Sequence, residues 1–112
     1  MATETAEQAP AGIDRRIHPR KKLRVSMEIE WGAAVLTGTV RDICVAGLFV
    51  ELDPPLWIGA AFHARLIITP VLLLDCTVVR VEPSSGMAVR YEVPEDDARA
   101  QIEKLLVGLA PA

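Results

Sequence analysis

A mainly β fold is predicted: a six-stranded antiparallel barrel with a C-terminal helix and a flexible N-terminal arm. Three observations predict it. Apolar and polar residues alternate with a period of two through much of residues 24–93, the signature of half-buried strands. Glycine and proline clusters interrupt that pattern at short intervals, where turns belong. After Pro94 the apolar spacing becomes helical. Six short strands in a chain of 112 residues leave open edges unless the sheet closes on itself. Closure into a barrel removes them. The helix is then free to plug or flank one opening.

The elements follow in order. Residues 1–13 hold Ala, Thr, Glu, Gln, Pro and Gly with one branched apolar residue, Ile13, and read as a mobile arm. Residues 14–109 read as one domain. From Arg24 to Trp31 the alternation is strict, with Val25, Met27, Ile29 and Trp31 on one face and Arg24, Ser26, Glu28 and Glu30 on the other. Gly32 and Ala33 make a turn, and Ala34–Arg41 is the second strand, in which Gly38 marks a bulge or bend. Asp42–Gly47 is a break before a short third strand, Leu48–Leu52. Asp53, Pro54 and Pro55 end it, because proline has no ladder donor. Ala60–Thr69 is the fourth strand, with Phe62, Ala64, Leu66 and Ile68 inward, and Pro70 closes it. Val71–Glu82 is the fifth strand, Pro83–Gly86 a turn, and Met87–Val93 the sixth. A helix over about 94–109 starts at Pro94 with Glu95, Asp96 and Asp97, where proline fits the first turn and acids complement the dipole. Its stripe is Ala98, Ile102, Leu105, Leu106 and Leu109, and a stripe of that kind must cover something.

Composition narrows the class. Hydrophobic residues make up 51% of the chain and charged residues 24%, too apolar for a disordered protein. The most apolar run, Leu66–Leu74, is interrupted by Thr69 and Pro70, and a membrane span needs about 20 apolar residues. The N-terminus has no apolar core of a secretory signal. Cys44 and Cys76 form neither a disulfide framework nor a zinc spacing. A cytoplasmic domain without metal or cofactor is expected. No phosphate loop or nucleophile elbow is present, so an enzyme is not expected.

The net charge of −3 conceals an uneven distribution. Asp14–Arg24 carries six bases, Arg15, Arg16, Arg20, Lys21, Lys22 and Arg24, against one acid, a net +5, while the remainder carries −8. A basic block attracts anions. The acidic remainder repels a long polyanion, so nucleic acid is a weak candidate and a small, doubly charged ligand a better one.

Two features carry chemistry. Arg16 and Arg20 stand four apart just before the first strand. Asp42-Ile43-Cys44-Val45-Ala46-Gly47 fills the break between the second and third strands. An R-x-x-x-R followed downstream by D/N-x-S-x-x-G, on such a barrel, resembles the PilZ domain family. The ending Gly86-Met87-Ala88-Val89-Arg90-Tyr91 also looks like that family's last strand, and the resemblance covers roughly residues 14–107.

The resemblance implies a receptor for cyclic di-GMP, the bacterial second messenger tied to motility and biofilm formation. Arg16 and Arg20, with Arg15 in support, would meet guanine O6 and N7 and the phosphates through guanidinium forks. Asp42 would accept from guanine N1–H and its exocyclic amine. Gly47 would allow a positive φ or a close approach of the backbone. Cys44 departs from the pattern, which has serine there. A thiol hydrogen-bonds poorly, and one lost hydrogen bond costs about 0.5–1.5 kcal/mol, roughly 2- to 10-fold in affinity.

The implied function is a stand-alone receptor that orders its arm on binding and signals to an effector protein, as a monomer or weak dimer. The alternative is a PilZ-type interaction adaptor of pilus or motility machinery that binds no nucleotide. Other residues read more plainly. Trp31 and Trp57 are core or edge residues, His18 is as readily an exposed side chain as a ligand contact, and His63 faces outward beside Arg65. Cys76 is a small buried hydrophobe.

Overall fold

The computed structural model of the chain describes residues 19–112. The expected arm, residues 1–13, lies outside the described residues, as do Arg15, Arg16 and His18.

Strand β1, Lys21–Trp31, follows the strict alternation and buries Leu23, Met27 and Ile29. Gly32 turns the chain at φ +61°, the left-handed region that a side chain disfavours. Strand β2 is Ala34–Ile43, β3 Gly47–Glu51, β4 Ala61–Leu66, β5 Leu72–Glu82 and β6 Gly86–Glu92; helix α1 is Asp96–Val107. The strands close a barrel in the order β1-β2-β3-β6-β5-β4. Every pairing is antiparallel, and the β1–β4 pairing, with Met27 opposite Leu66 and Ile29 opposite Ala64, shuts the sheet. The mainly β barrel with a C-terminal helix is therefore the fold.

The boundaries shift for physical reasons. β1 starts at Lys21 rather than Arg24, because Lys21 and Lys22 pair with Ile43 and Asp42. The expected break is consequently shorter, and Asp42 and Ile43 belong to β2. β4 stops at Leu66 rather than Thr69, because the Ile68 N–H turns back to the Leu66 carbonyl.

The barrel interior holds Met27, Ile29, Val40, Leu48, Leu66 and Met87, all with no exposed surface. Burying each such side chain contributes about 1.5–3 kcal/mol. Ala98 and Ile102 of α1 join this core, and Leu105, Leu106 and Leu109 pack partly against it. The helix borders Val45 and Tyr91–Val93 on one side and Ile68–Pro70 on the other, so it covers that end of the barrel. Beyond it the chain returns to β1. Lys22 N–H donates to the Ala110 carbonyl at 2.8 Å and Ala112 N–H to the Arg20 carbonyl at 3.1 Å.

Three irregularities in register lie close together. They fall between Lys22 and Val25 in β1, between Val40 and Asp42 in β2, and between Val78 and Arg80 in β5. Against β3, Arg41 is the extra residue, and against β6 it is Val79. A bulge adds one residue without an opposite partner, bends the strand and re-aims the neighbouring side chains. Gly38, expected at a bulge or bend, lies in regular pairing with Met27. A Cβ there would stand 2.5 Å from Val50 Cγ2 and 2.9 Å from the Glu51 carbonyl oxygen, so glycine lets β3 approach.

Candidate functional site

The bulges decide which side chains meet outside the barrel. In an unbroken strand Arg41 and Asp42 would point to opposite faces. The β2 bulge instead leaves Val40 and Ile43 in the core with both Arg41 and Asp42 outside it. The β5 bulge does the same for Val79 and Arg80 between Val78 and Val81. Asp42 stands opposite Phe49, Phe49 opposite Ala88 and Ala88 opposite Arg80, one row across β2, β3, β6 and β5.

A surface cavity of about 470 Å³ opens over this row, lined by Arg20, Arg41, Asp42 and Arg80, with Pro19, Pro111 and Ala112 at its rim. Arg20 and Arg41 face the Asp42 carboxylate, while Arg80, at the same cavity, donates to Glu82 Oε2 at 3.2 Å. Asp42 is the one buried charged residue among those described. Arg20 Nε lies 2.9 Å from Asp42 Oδ1 and Arg41 Nε donates to Oδ2 at 3.3 Å. The Arg20 N–H is not directed along its short contact, so Oδ1, shielded from solvent, accepts no hydrogen bond from the described residues. The Arg20 guanidinium at 2.9 Å nonetheless compensates the charge on that oxygen as an ion pair.

Beneath Arg20 lies Cys44, buried, with Sγ 3.9 Å from Arg20 Nη1. The Cys44 carbonyl accepts from the Tyr91 hydroxyl, and the Cys44 N–H donates to the Gly47 carbonyl at 2.8 Å. Burial pushes the Tyr91 phenol up from its ordinary value, which keeps the hydroxyl protonated as that donor. These contacts hold the 44–47 turn under the cavity. Gly47 has a different reason from the one expected. A Cβ would stand 2.6 Å from the Val89 carbonyl oxygen, and Gly47 is not among the positive-φ residues. Its missing side chain admits the β6 backbone.

Of the site residues read from the sequence, Arg20, Asp42 and Cys44 come together, and Gly47 supports their turn. Arg15 and Arg16 lie outside the described residues. Arg41 and Arg80 were missed. Alternation points Arg41 away from Asp42, yet the run Val78-Val79-Arg80-Val81 breaks its own alternation and is a readable sign of a bulge.

The other flagged residues take no part. Trp31 and Trp57 pack edge to face at 4.8 Å between centroids. His63 is exposed with Nδ1 2.7 Å from Asp75 Oδ1. Cys76 is buried, which together with the neighbouring Asp75 pushes its thiol up to about 12, so it is protonated and unreactive near neutrality. Among the described residues no helix is long and apolar enough to cross a membrane, and no three His, Cys, Asp or Glu side chains gather to hold a metal.

Comparison with known proteins agrees with this architecture. The chain matches the family model described as PilZ domain over residues 14–108. No curated protein matches it in sequence. Among solved structures, the PilZ domain of CeSA from a cellulose-synthesizing bacterium superimposes with a TM-score of 0.62 at 16% identity, covering 80% of this chain and 95% of that one. The PilZ domain of YcgR from Escherichia coli, solved with c-di-GMP, gives 0.69 at 12% identity, covering 86% and 92%. The K. pneumonia MrkH–c-di-GMP complex gives 0.66 at 17% identity, covering 85% of this chain and 51% of that one.

Proposed function

The chain belongs to the PilZ domain family, and from that premise we propose that it is a cyclic di-GMP receptor acting through the arginine-lined cavity. The observation that carries this reading is one cavity lined by Arg20, Arg41 and Arg80 together with a buried carboxylate, Asp42, that Arg20 and Arg41 hold in place. The ligand supplies what the site needs. Its guanine N1–H and exocyclic amine are donors for Asp42. Its two phosphates and the O6/N7 edge are acceptors for guanidinium forks. Arg20 is the described half of the R-x-x-x-R motif, and binding would draw Arg15 and Arg16 onto the ligand to complete it. In this reading residues 14–109 are one domain, residues 1–13 are its arm, and the ordered arm with the bound ligand forms a surface read by an effector protein. No step requires the chain to act as an enzyme.

Titration calorimetry tests it. Cyclic di-GMP should bind the folded protein at micromolar concentration or below, and Cys44→Ser should raise affinity by roughly 2- to 10-fold through a better hydrogen-bonding group beside Arg20. Absence of heat at high micromolar ligand, with folding confirmed by circular dichroism, overturns the reading. It would leave the nucleotide-free adaptor as the function.

A further inference from the structure

Arg41 belongs to neither half of the motif, yet two contacts fix its guanidinium beside the cavity. Its Cζ lies 3.9 Å from the centroid of Phe49, over the ring. Its Nε donates to Asp42 Oδ2 at 3.3 Å. Phe49 is itself fixed: it has no exposed surface, and the ladder pairs it with Asp42 on one side and Ala88 on the other. Its Cε1 lies 3.0 Å from where a Cβ of Gly86 would stand, so the ring occupies room that glycine leaves free. Phe49 therefore sits outside the barrel core while fully covered, and Arg41 is part of the cover.

We propose that Arg41, held over Phe49, is a stacking platform for a planar base of the ligand. Its Cζ stands over the ring. The side chain is 42% exposed and lines the cavity, so the side away from the ring is open to an incoming base. Guanidinium planes stack on aromatic systems as ammonium groups cannot. The bulge at Arg41 is what makes this possible, since it turns the residue out beside Asp42 instead of opposite to it. Division of labour follows. Stacking accepts any base, so Arg41 supplies affinity, while the Asp42 carboxylate selects guanine among bases by accepting from its N1–H edge.

This inference rests on the cyclic di-GMP reading and refines it, and one set of titrations separates the two. The informative variant is Arg41→Lys. It keeps the positive charge and an aliphatic stem that covers Phe49, and loses the plane together with the Nε–H donor to Asp42. Wild-type protein and Arg41→Lys are titrated with cyclic di-GMP, and their melting temperatures are compared without ligand. A platform predicts a loss of roughly 10-fold in affinity for Arg41→Lys, nearly as large as for Arg41→Ala, with the melting temperature of the lysine variant close to wild type. Affinity within twofold of wild type overturns the platform and leaves Arg41 as a cover for Phe49 or a simple charge. Absence of binding by the wild type overturns the receptor reading and the platform together. A second readout does not depend on affinity. At saturating ligand the Arg41 Nε–H resonance should move upfield as a second aromatic plane closes over it, and a resonance that stays in place overturns the proposal.

Discussion

Two patches on the outside of the barrel both carry charged side chains and differ in how these are arranged. On the side built by β1, β4 and β5 the strands pair in even register. There Arg65 reaches Glu28 and Glu30 at 3.3 and 3.2 Å, and His63 meets Asp75 at 2.7 Å, all at exposed side chains. Across β2, β3, β6 and β5 two bulges interrupt the ladder, and Arg20 and Arg41 close on buried Asp42 while Arg80 shares their cavity. The first patch is a set of exposed pairs in water, each worth about 0–1 kcal/mol. The second holds its carboxylate buried between two guanidiniums at the wall of a cavity. Exposed pairs form and break freely in water, whereas a buried cluster holds its side chains in one arrangement for a ligand to meet.

The largest effect expected from that difference separates Arg20→Ala from Arg65→Ala. Removing Arg20 should lower cyclic di-GMP affinity by about 10- to 100-fold, since a hydrogen bond to a charged group is worth about 1.5–3 kcal/mol. Removing Arg65 should leave affinity unchanged and shift unfolding by under about 1 kcal/mol. Calorimetry and urea melts on the two variants check this, and equal losses of affinity would erase the distinction between the patches.

A smaller effect tests what supports the cavity patch. Gly47→Ala places a Cβ against the Val89 carbonyl and should destabilise the fold by about 1–3 kcal/mol through overpacking. In Gly32→Ala the Cβ meets nothing within 4 Å, and the positive φ alone costs about 1–2 kcal/mol. A denaturant midpoint for Gly47→Ala equal to wild type would mean that the turn moves freely away from β6.

The smallest effect concerns the interior beneath both patches. The Cys76 thiol titrates near 9.0 in the unfolded chain and near 12 in the fold. Its contribution is therefore complete below about pH 9 and is lost as pH rises toward 12. Stability should fall by about 1 kcal/mol between about pH 8 and about pH 9.6 from this group. Urea unfolding at the two pH values measures it, and Cys76→Ala should flatten the decline. Tyr91, shifted in the same direction, adds to it at higher pH.

Much of this molecule is written locally in its sequence, and some of it is not. The alternation around Met27, Ile29, Phe62, Ala64 and Val89 specifies strands and their inner faces, because a strand's side chains have a period of two wherever it lies. The change of period after Pro94 specifies a helix whose stripe must be covered. The motif halves at Arg20 and Asp42 are likewise legible, since each is a short run at a fixed spacing. By contrast, the bulges at Arg41 and Val79 depend on how β2 meets β3 and how β5 meets β6, and pairing register is a property of two strands together. With the bulges went the positions of Arg41 and Arg80, which local alternation could not bring to one cavity with Asp42. The same holds for Gly47, whose neighbour Val89 is 42 residues away, and for the return of Ala110–Ala112 to β1. The sequence by itself determined which residues form strands, helix and core, because those depend on local periodicity. Only the tertiary structure decided which charges share a site, because that depends on contacts between segments distant in the chain.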